Sequence, residues 1–385
     1  MIGDSSPEAK ARQMSTELNI ATADYLGESW TFLDCPGSVE LAQEFHNALM
    51  VTDTAIVVCE ADPERTLTVG PILQFLGEHS VPHMVFINKM DVPGHTVKAT
   101  LNALQEVSSL PLVLREIPIR DGDDITGHVD LVSESAFEWQ TGQPSKLIEF
   151  PDAVKDREQK ARTELLESLA DFDDTLLENL LEDIIPSTDE IYATLAMDLQ
   201  QSLIVPVFFG SAEQDYGVRR LLKALRHETP EVAATTQRLG ISNGDETVAQ
   251  VFKTVHAGHA GKLSFARVWS GEISDGMTLN GTRVSGLNHA LGQKHAKINK
   301  AGTGEIAALG RMEEVVTGAT LSASSNVEIN WPDAMKPLFS LSIHTAQHGD
   351  EVKLSSALAK LIDEDPSFNY EPNKDTGEEF VWGQG

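Results

Sequence analysis

Two short motifs, each closing an apolar run, carry the side chains with the clearest chemistry. Asp34-Cys35-Pro36-Gly37 follows Trp30–Leu33, and Asn88-Lys89-Met90-Asp91 follows Met84–Ile87. A buried strand ending in Asp-x-x-Gly offers a carboxylate to a metal-bound water and, at the glycine, a backbone N–H that can approach a phosphate. In the second motif the two Asp91 oxygens can accept from guanine N1–H and the exocyclic amine as one bidentate, charge-assisted pair. Adenine presents no such pair of donors, and an unpaired carboxylate is what makes the discrimination large. Asn88 can bridge the base to neighbouring loops, and the Lys89 stem can lie along the ring. A third stretch, Gly210-Ser211-Ala212 after Val205–Phe209, is expected to turn the Ala212 N–H toward the guanine carbonyl oxygen. Each motif also has a plainer reading: an ordinary loop, a capped Pro-Gly turn, a generic strand-to-loop turn. Their order, each behind an apolar strand and expected on one parallel sheet, favours GTP binding. No G-x-x-x-x-G-K-[ST] sequence occurs among the 385 residues.

The elements that must position these residues are legible in outline. Thr54–Cys59, Pro82–Ile87 and Val205–Phe209 are short continuous apolar runs of the kind found inside parallel sheets. Helical spacing over Leu67–Gly77 and Val97–Val107 separates them, so a doubly wound α/β domain is expected over 1–232. The stretch 117–203 is too long for one crossover and reads as an inserted subdomain. It has a strand at Ile125–Val132 and two acidic helices, the second with Leu176, Leu177, Leu180 and Leu181 on one stripe. A closing helix carries Val218, Leu221, Leu222 and Leu225. Ala233–Glu246, with Ser242-Asn243-Gly244-Asp245, reads as a linker. Period-two runs at Val248–Val255, Leu263–Ser270, Met277–Asn280 and Glu305–Leu309 predict a β-barrel over 247–330. A partial α+β domain is expected over 337–385. It has a strand at Phe339–Ile343 and a helix over Glu351–Ile362 with Leu354, Leu358, Leu361 and Ile362 inward.

Composition narrows the function classes. With 29 Lys plus Arg against 59 Asp plus Glu, the net charge of −30 argues against a binder of free nucleic acid, which needs a basic face. Two cysteines, Cys35 and Cys59, give neither a disulfide framework nor a metal cluster. No apolar run reaches membrane-spanning length and no signal-peptide pattern opens the chain, so a monomeric cytoplasmic protein is expected. His256 with His259, and His344 with His348, have spacings a metal could use. Neither pair is read as having nearby carboxylate or cysteine partners that suggest a site, so both are read as incidental. Gly258-His259-Ala260-Gly261-Lys262 is too short to be a phosphate loop.

The pattern resembles the translational GTPases and, within them, elongation factor G and its close paralogues. Besides the nucleotide motifs, Arg12-Gln13-Met14-Ser15 stands where that family has its first switch. Val251-Phe252-Lys253-Thr254 with Gly261-Lys262-Leu263-Ser264-Phe265-Ala266-Arg267-Val268 resembles the start of its second domain. Lys353-Leu354-Ser355-Ser356-Ala357-Leu358 with Glu364-Asp365-Pro366-Ser367 resembles its third. The resemblance implies GTP and Mg²⁺ as ligands, with Asp34 holding a water of the metal shell, Ser15 its hydroxyl, and Gly37 the γ-phosphate. It implies the ribosome as partner, in translocation or recycling, and places the family's first strand and phosphate loop before Met1. Asp34 to Ser38 matches the second switch, with Ser38 where the family has the His that orients the attacking water. Serine is too short for that geometry, which implies slow hydrolysis. A non-catalytic paralogue that docks on ribosomes without turnover is the alternative. The 385 residues by themselves are expected to bind GTP weakly, since each charge-assisted bond of a phosphate loop is worth about 1.5–3 kcal/mol. Sub-micromolar binding in a titration would overturn that expectation.

Overall fold

A computed structural model describes residues 3–4, 6–92, 96–241, 246–257, 261–291, 294–324, 327–345, 347, 349–372 and 378–384. The chain forms two compact units, Thr52–Thr235 and a second made of Met1–Val51 with Thr236–Gly385. The first 51 residues thus group with the C-terminal half rather than with the rest of the α/β domain expected over 1–232, because β1 and β2 pair with each other and add no strand to the parallel sheet.

At the N-terminus, Ser6 caps α1 (Pro7–Arg12) by accepting from Ala9 N–H, and Pro7 opens the helix. Strands β1 (Asn19–Tyr25) and β2 (Glu28–Asp34) form an antiparallel hairpin in which Asn19 pairs with Asp34. A 3₁₀ turn (Val39–Leu41) leads into α2 (Ala42–Met50).

In the unit Thr52–Thr235, β3 (Ala55–Glu60), α3 (Gly70–Glu78), β4 (His83–Asn88), α4 (Val97–Val107) and β5 (Leu112–Leu114) alternate as expected. Every neighbour in the resulting four-stranded sheet is parallel, in the order β3-β4-β10-β5, with β10 at Val205–Phe209. The central strands are covered on both faces, Met84, Val85, Ile87, Val207, Phe208 and Phe209 all being fully buried. Edge strand β3 is not, and Val58 is 58% exposed. The three-residue β5 gives no sequence signal because a run that short carries no period.

Between β5 and β10 lies a four-stranded antiparallel meander, β6 (Glu116–Asp121), β7 (Asp124–Asp130), β8 (Ser135–Glu138) and β9 (Lys146–Ile148). Three helices follow: α5 (Lys155–Ala170), α6 (Asp174–Leu181) and α7 (Thr188–Gln200). Asp173 caps α6, and a capping box of Ser187 and Glu190 opens α7. Val129, Leu131, Leu165, Leu169, Leu176, Ile191 and Leu195 make their common core. The expected leucine stripe of α6 is only half realised. Leu176 is buried and Leu180 packs beside the core, whereas Leu177 and Leu181 are 44% and 77% exposed. Only one edge of so short a helix meets the core. Two buried ion pairs tie the insertion to α8 (Val218–Glu228): Arg115–Glu228 and Arg220–Asp130, each 2.6 Å. Helix α9 (Val232–Arg238) follows.

Asp198, on α7, is buried, and its Oδ2 has no hydrogen-bond partner. Burial first, and Asp173 second, push its carboxyl up to about 6. Since the folded value lies above the ordinary 3.8, this group favours the fold fully below that pH and loses the contribution as pH rises through about 6. Asp198→Asn is therefore expected to raise the melting temperature at pH 8 by about 2–4 °C while leaving it almost unchanged at pH 4. Thermal unfolding at both pH values checks this, and equal shifts at both would refute it.

The rest of the second unit is β-rich. Its strands are β11 (Val248–Ala257), β12 (Gly261–Ser270), β13 (Glu272–Ser274), β14 (Thr278–Leu279), β15 (Thr282–Arg283), β16 (Leu287–Leu291), β17 (Lys294–Lys297), β18 (Lys300–Gly302), β19 (Ile306–Gly310) and β20 (Thr320–Ser322). A six-stranded sheet in the order β17-β16-β19-β12-β11-β20 and the ribbons β13-β18 and β14-β15 enclose one core. Val251, Val268, Ile273, Leu279, Leu287, Leu309 and Leu321 meet there. Last come β21 (Phe339–Ile343), α10 (Glu351–Glu364), β22 (Asn369–Pro372) and β23 (Glu379–Gly383), the strands ordered β21-β23-β22. Only Leu358 of α10 is buried. Leu361 and Ile362, expected inward, are 47% and 37% exposed. Among the described residues no helix is long and apolar enough to cross a membrane. The linker expected over 233–246 is not all irregular: its first residues belong to α9, and residues 242–245 lie outside the described residues.

Candidate functional site

Within Thr52–Thr235, the parallel register sets Phe209 beside Ile87, so β4 and β10 end at the same level of the sheet. Their loops are then sewn together by backbone bonds, Gly210 N–H to Ile87 O at 2.9 Å and Met90 N–H to Gly210 O at 3.0 Å. Gly210 is required there, because a Cβ would stand 2.1 Å from the Tyr216 carbonyl oxygen and 2.9 Å from the Phe86 ring. Met90 is buried and anchors the turn; Asp91 beside it is exposed. Asn88, Lys89, Met90, Asp91, Ser211 and Ala212 are thereby brought to one end of one sheet.

One detail differs from expectation. The Ala212 N–H donates to Asn88 Oδ1 at 2.9 Å, so Asn88 already holds the loop that follows β10. The Asn88 Nδ2 group remains the donor that this side chain can turn to a base. Lys89 adopts a left-handed backbone with φ +60 and pairs with Glu60 at the end of β3, and Glu60 also pairs with Arg65 at 2.7 Å. Glu60 escapes sequence reading because it lies 29 residues before Lys89 and belongs to no motif.

The other motif residues do not share that parallel sheet, as their order had suggested: they lie in the second unit, where β2 pairs only with β1 in an antiparallel hairpin and is largely exposed rather than buried. Asp34 is the last residue of β2, Cys35 is half-buried, Pro36 is buried, and Gly37 is exposed with nothing within 4 Å of where a Cβ would stand. The Asp34 carboxyl is pushed above the usual range by partial desolvation and then by Asp4 nearby. Asp4 Oδ1 is itself buried without a hydrogen-bond partner. Two carboxylates with too little compensating charge fit a hard divalent cation with oxygen ligands. Among the described residues no cluster of three or more His, Cys, Asp or Glu is arranged for a metal.

Ser38 opens the 3₁₀ turn, its carbonyl accepting from Leu41 N–H at 3.0 Å, and its hydroxyl bonds the Glu40 carboxylate, which holds Glu40 below the usual carboxylate range. The Cys35 thiol is pushed up to about 12, by burial first and then by Glu44 and Asp34. Ser15 follows α1 and is half-buried. Three residues later Leu18 N–H donates to Glu44 Oε2 at 3.0 Å, and Lys253 reaches the same oxygen at 2.7 Å. Glu44 thus ties the segment after Ser15 to β11, a role with no sequence signature.

The histidine pairs need one correction. Carboxylates do stand beside His256, since its Nε2 lies 2.8 Å from Asp363 Oδ2 and its N–H meets Glu364. They come from the far end of α10, more than 100 residues on, beyond any local pattern. Residues 258–260, including His259, and His348 lie outside the described residues. Lys262 is buried against Asp363 and the Glu313 carbonyl, at 2.8 and 2.9 Å, and so is not a phosphate ligand.

Comparisons with known proteins agree with this architecture. The profile of the elongation factor Tu GTP binding domain matches residues 1–231, and that of elongation factor G domain III matches 335–385. An elongation factor G-like protein of Synechocystis is 44% identical over 386 residues, covering 100% of this chain and 58% of that protein. Elongation factor G of Fervidobacterium nodosum is 28% identical, over 92% of this chain and 54% of its own length. The Mycoplasma pneumoniae factor is also 28% identical, over 93% and 55%. A crystal structure of a Thermus thermophilus protein superposes with TM-score 0.88 at 26% identity, covering 100% of this chain and 58% of that one. The chain therefore spans a little over half the length of the relatives it matches. The mixed α/β unit with its nucleotide motifs, the β-rich region after it and the matched profiles agree: the chain belongs to the elongation factor G-like translational GTPases.

Proposed function

We propose that this chain is the GTP-binding part of a cytoplasmic translation factor that works as a monomer on the ribosome, in translocation or recycling. The domains assigned to it are 1–232 for nucleotide, with the insertion at about 117–203, then 247–330 and 337–385. The observation that carries the reading is the joined end of β4 and β10, where Asn88 holds the Ala212 N–H and Met90 is fastened to Gly210. That arrangement leaves the exposed Asp91 carboxylate at the mouth of the loop to accept from guanine N1–H and the exocyclic amine. Asn88 Nδ2 donates toward the base, and the Ala212 N–H can share its bond with the guanine carbonyl oxygen. The Lys89 stem lies along the ring, its ammonium held by Glu60.

At the phosphate end, Asp34 holds a water of the Mg²⁺ shell, the Ser15 hydroxyl faces the ion, and the Gly37 N–H bonds the γ-phosphate. When bound, Mg²⁺ neutralises charge developing on the phosphates. Ser38 stands where the family's His orients the attacking water. Serine is too short to hold that geometry, which supports slow turnover.

The test has two arms. Guanine nucleotides at millimolar concentration are expected to shift the Ala212 and Asp91 backbone NMR signals while ATP leaves them in place. Ribosome pelleting is expected to bring the chain down more completely with a non-hydrolysable GTP analogue than with GDP. Equal responses to GTP and ATP would refute the base assignment, and pelleting indifferent to nucleotide would refute the ribosomal role.

A further inference from the structure

The loop after β10 is held from a second side, by the insertion. Ser211 and Tyr216 exchange two backbone hydrogen bonds, 3.0 and 2.9 Å, folding 211–216 into a tight pair whose first turn presents the Ala212 N–H. The Tyr216 ring lies flat on the indole of Trp139, with centroids 5.0 Å apart and planes 16° from parallel. Its hydroxyl is 2.8 Å from Thr141 Oγ1. Trp139 and Thr141 both follow β8, in the meander of the insertion.

Trp139 is in turn well fixed. It is 7% exposed, its backbone N–H donates to the Thr126 carbonyl at 2.8 Å, and its Nε1–H donates to His128 Nδ1 at 3.0 Å. Its ring edge meets Phe209 with centroids 6.0 Å apart. Glu116, at the start of β6, accepts from Phe209 N–H at 3.0 Å, so the meander also grips the last residue of β10 through the backbone. A rigid aromatic anchored in one sheet thus carries the ring that shapes a loop leaving another.

We propose that Trp139 and Tyr216 are positioning residues for guanine recognition: the Trp139–Tyr216 stack sets the 211–216 loop so that the Ala212 N–H stands at the level of Asn88 and the base carbonyl, making the insertion part of the base-reading site. This rests on the GTP-binding reading for its consequence, and on the apo geometry alone for the brace. An offset aromatic stack is worth about 0.5–1.5 kcal/mol beyond its buried area, which converts to a roughly 2–12-fold change in a local opening equilibrium.

The brace is tested without nucleotide, by amide hydrogen exchange on the 385-residue chain. Trp139→Ala is expected to speed exchange at Ala212 and Tyr216 by roughly 3–10-fold while leaving Val207, inside β10, unchanged. Trp139→Phe keeps a ring over Tyr216 and should restore most of the protection. Tyr216→Leu, which leaves the meander intact, should match Trp139→Ala, and the double variant should add little. Unchanged Ala212 exchange in both single variants, or additive effects in the double, overturns the proposal. If Trp139→Ala also deprotects Val129 and Leu131 in the insertion core, Tyr216→Leu decides alone.

The consequence is read with GDP and IDP, titrated by ligand-observed NMR. Inosine lacks the 2-amino group that Asp91 reads but shares the carbonyl oxygen, so Tyr216→Leu should weaken both nucleotides by the same roughly 3–10-fold and leave their ratio unaltered. Faster exchange with unchanged affinity for both would reduce the stack to a purely structural contact and overturn the proposal. A wild-type chain that binds neither nucleotide would instead sink the GTP-binding reading, leaving the exchange experiment to judge the brace.

Discussion

Ser38→His is expected to raise ribosome-stimulated GTP hydrolysis by roughly 10²–10⁴-fold, the range over which a positioned group acts on a proton or water. The wild-type hydroxyl is short, and the residue opens a 3₁₀ turn rather than projecting from a regular helix. An imidazole at this position is long enough to reach past the turn. Its arrival also releases the Glu40 carboxylate, which should drift up toward its ordinary value. GTP affinity should change little, because neither Ser38 nor Glu40 belongs to the base loop. The measurement is single-turnover phosphate release, with and without ribosomes, in a protein that joins this chain to a phosphate loop. A wild-type rate already as fast as that of an ordinary elongation factor G would sink the argument and assign the water to another residue.

The second large effect is a change of base. Asp91→Asn replaces a two-oxygen acceptor by an amide, which can donate to the 2-oxo group of xanthine but pairs badly with the guanine amine. The ratio of XTP to GTP affinity is expected to rise by roughly 10²–10⁴-fold, the loss of two charge-assisted bonds combined with the gain of a matched one. The ratio is the right quantity because all contacts to the phosphates cancel in it. Backbone rearrangement should not blur the result, since buried Met90 and its bond to Gly210 hold the turn independently of the Asp91 side chain. A calorimetric or NMR titration giving the same ratio in both proteins would remove Asp91 from the site.

What the sequence determined by itself was local. Continuous apolar runs marked β3, β4 and β10, because strands covered on both faces need no polar alternation. The motifs at their ends then fixed which loops meet at one end of the sheet once the strands are parallel. Period-two runs after residue 247 likewise marked β11, β12 and β19, each with one face on a shared core. Val58 and Leu181 show the limit of such patterns: an apolar residue at the right period is buried only if another element arrives to cover it. Tertiary structure alone decided the pairings across long separations. Ala212 to Asn88 spans 124 residues, Lys89 to Glu60 29, and His256 to Asp363 107. The Trp139–Tyr216 stack is of the same kind. Periodicity reports which face of an element is apolar, while a hydrogen bond or ring contact depends on where two remote backbones end up to within an ångström. That distance is set by the packing of everything between them.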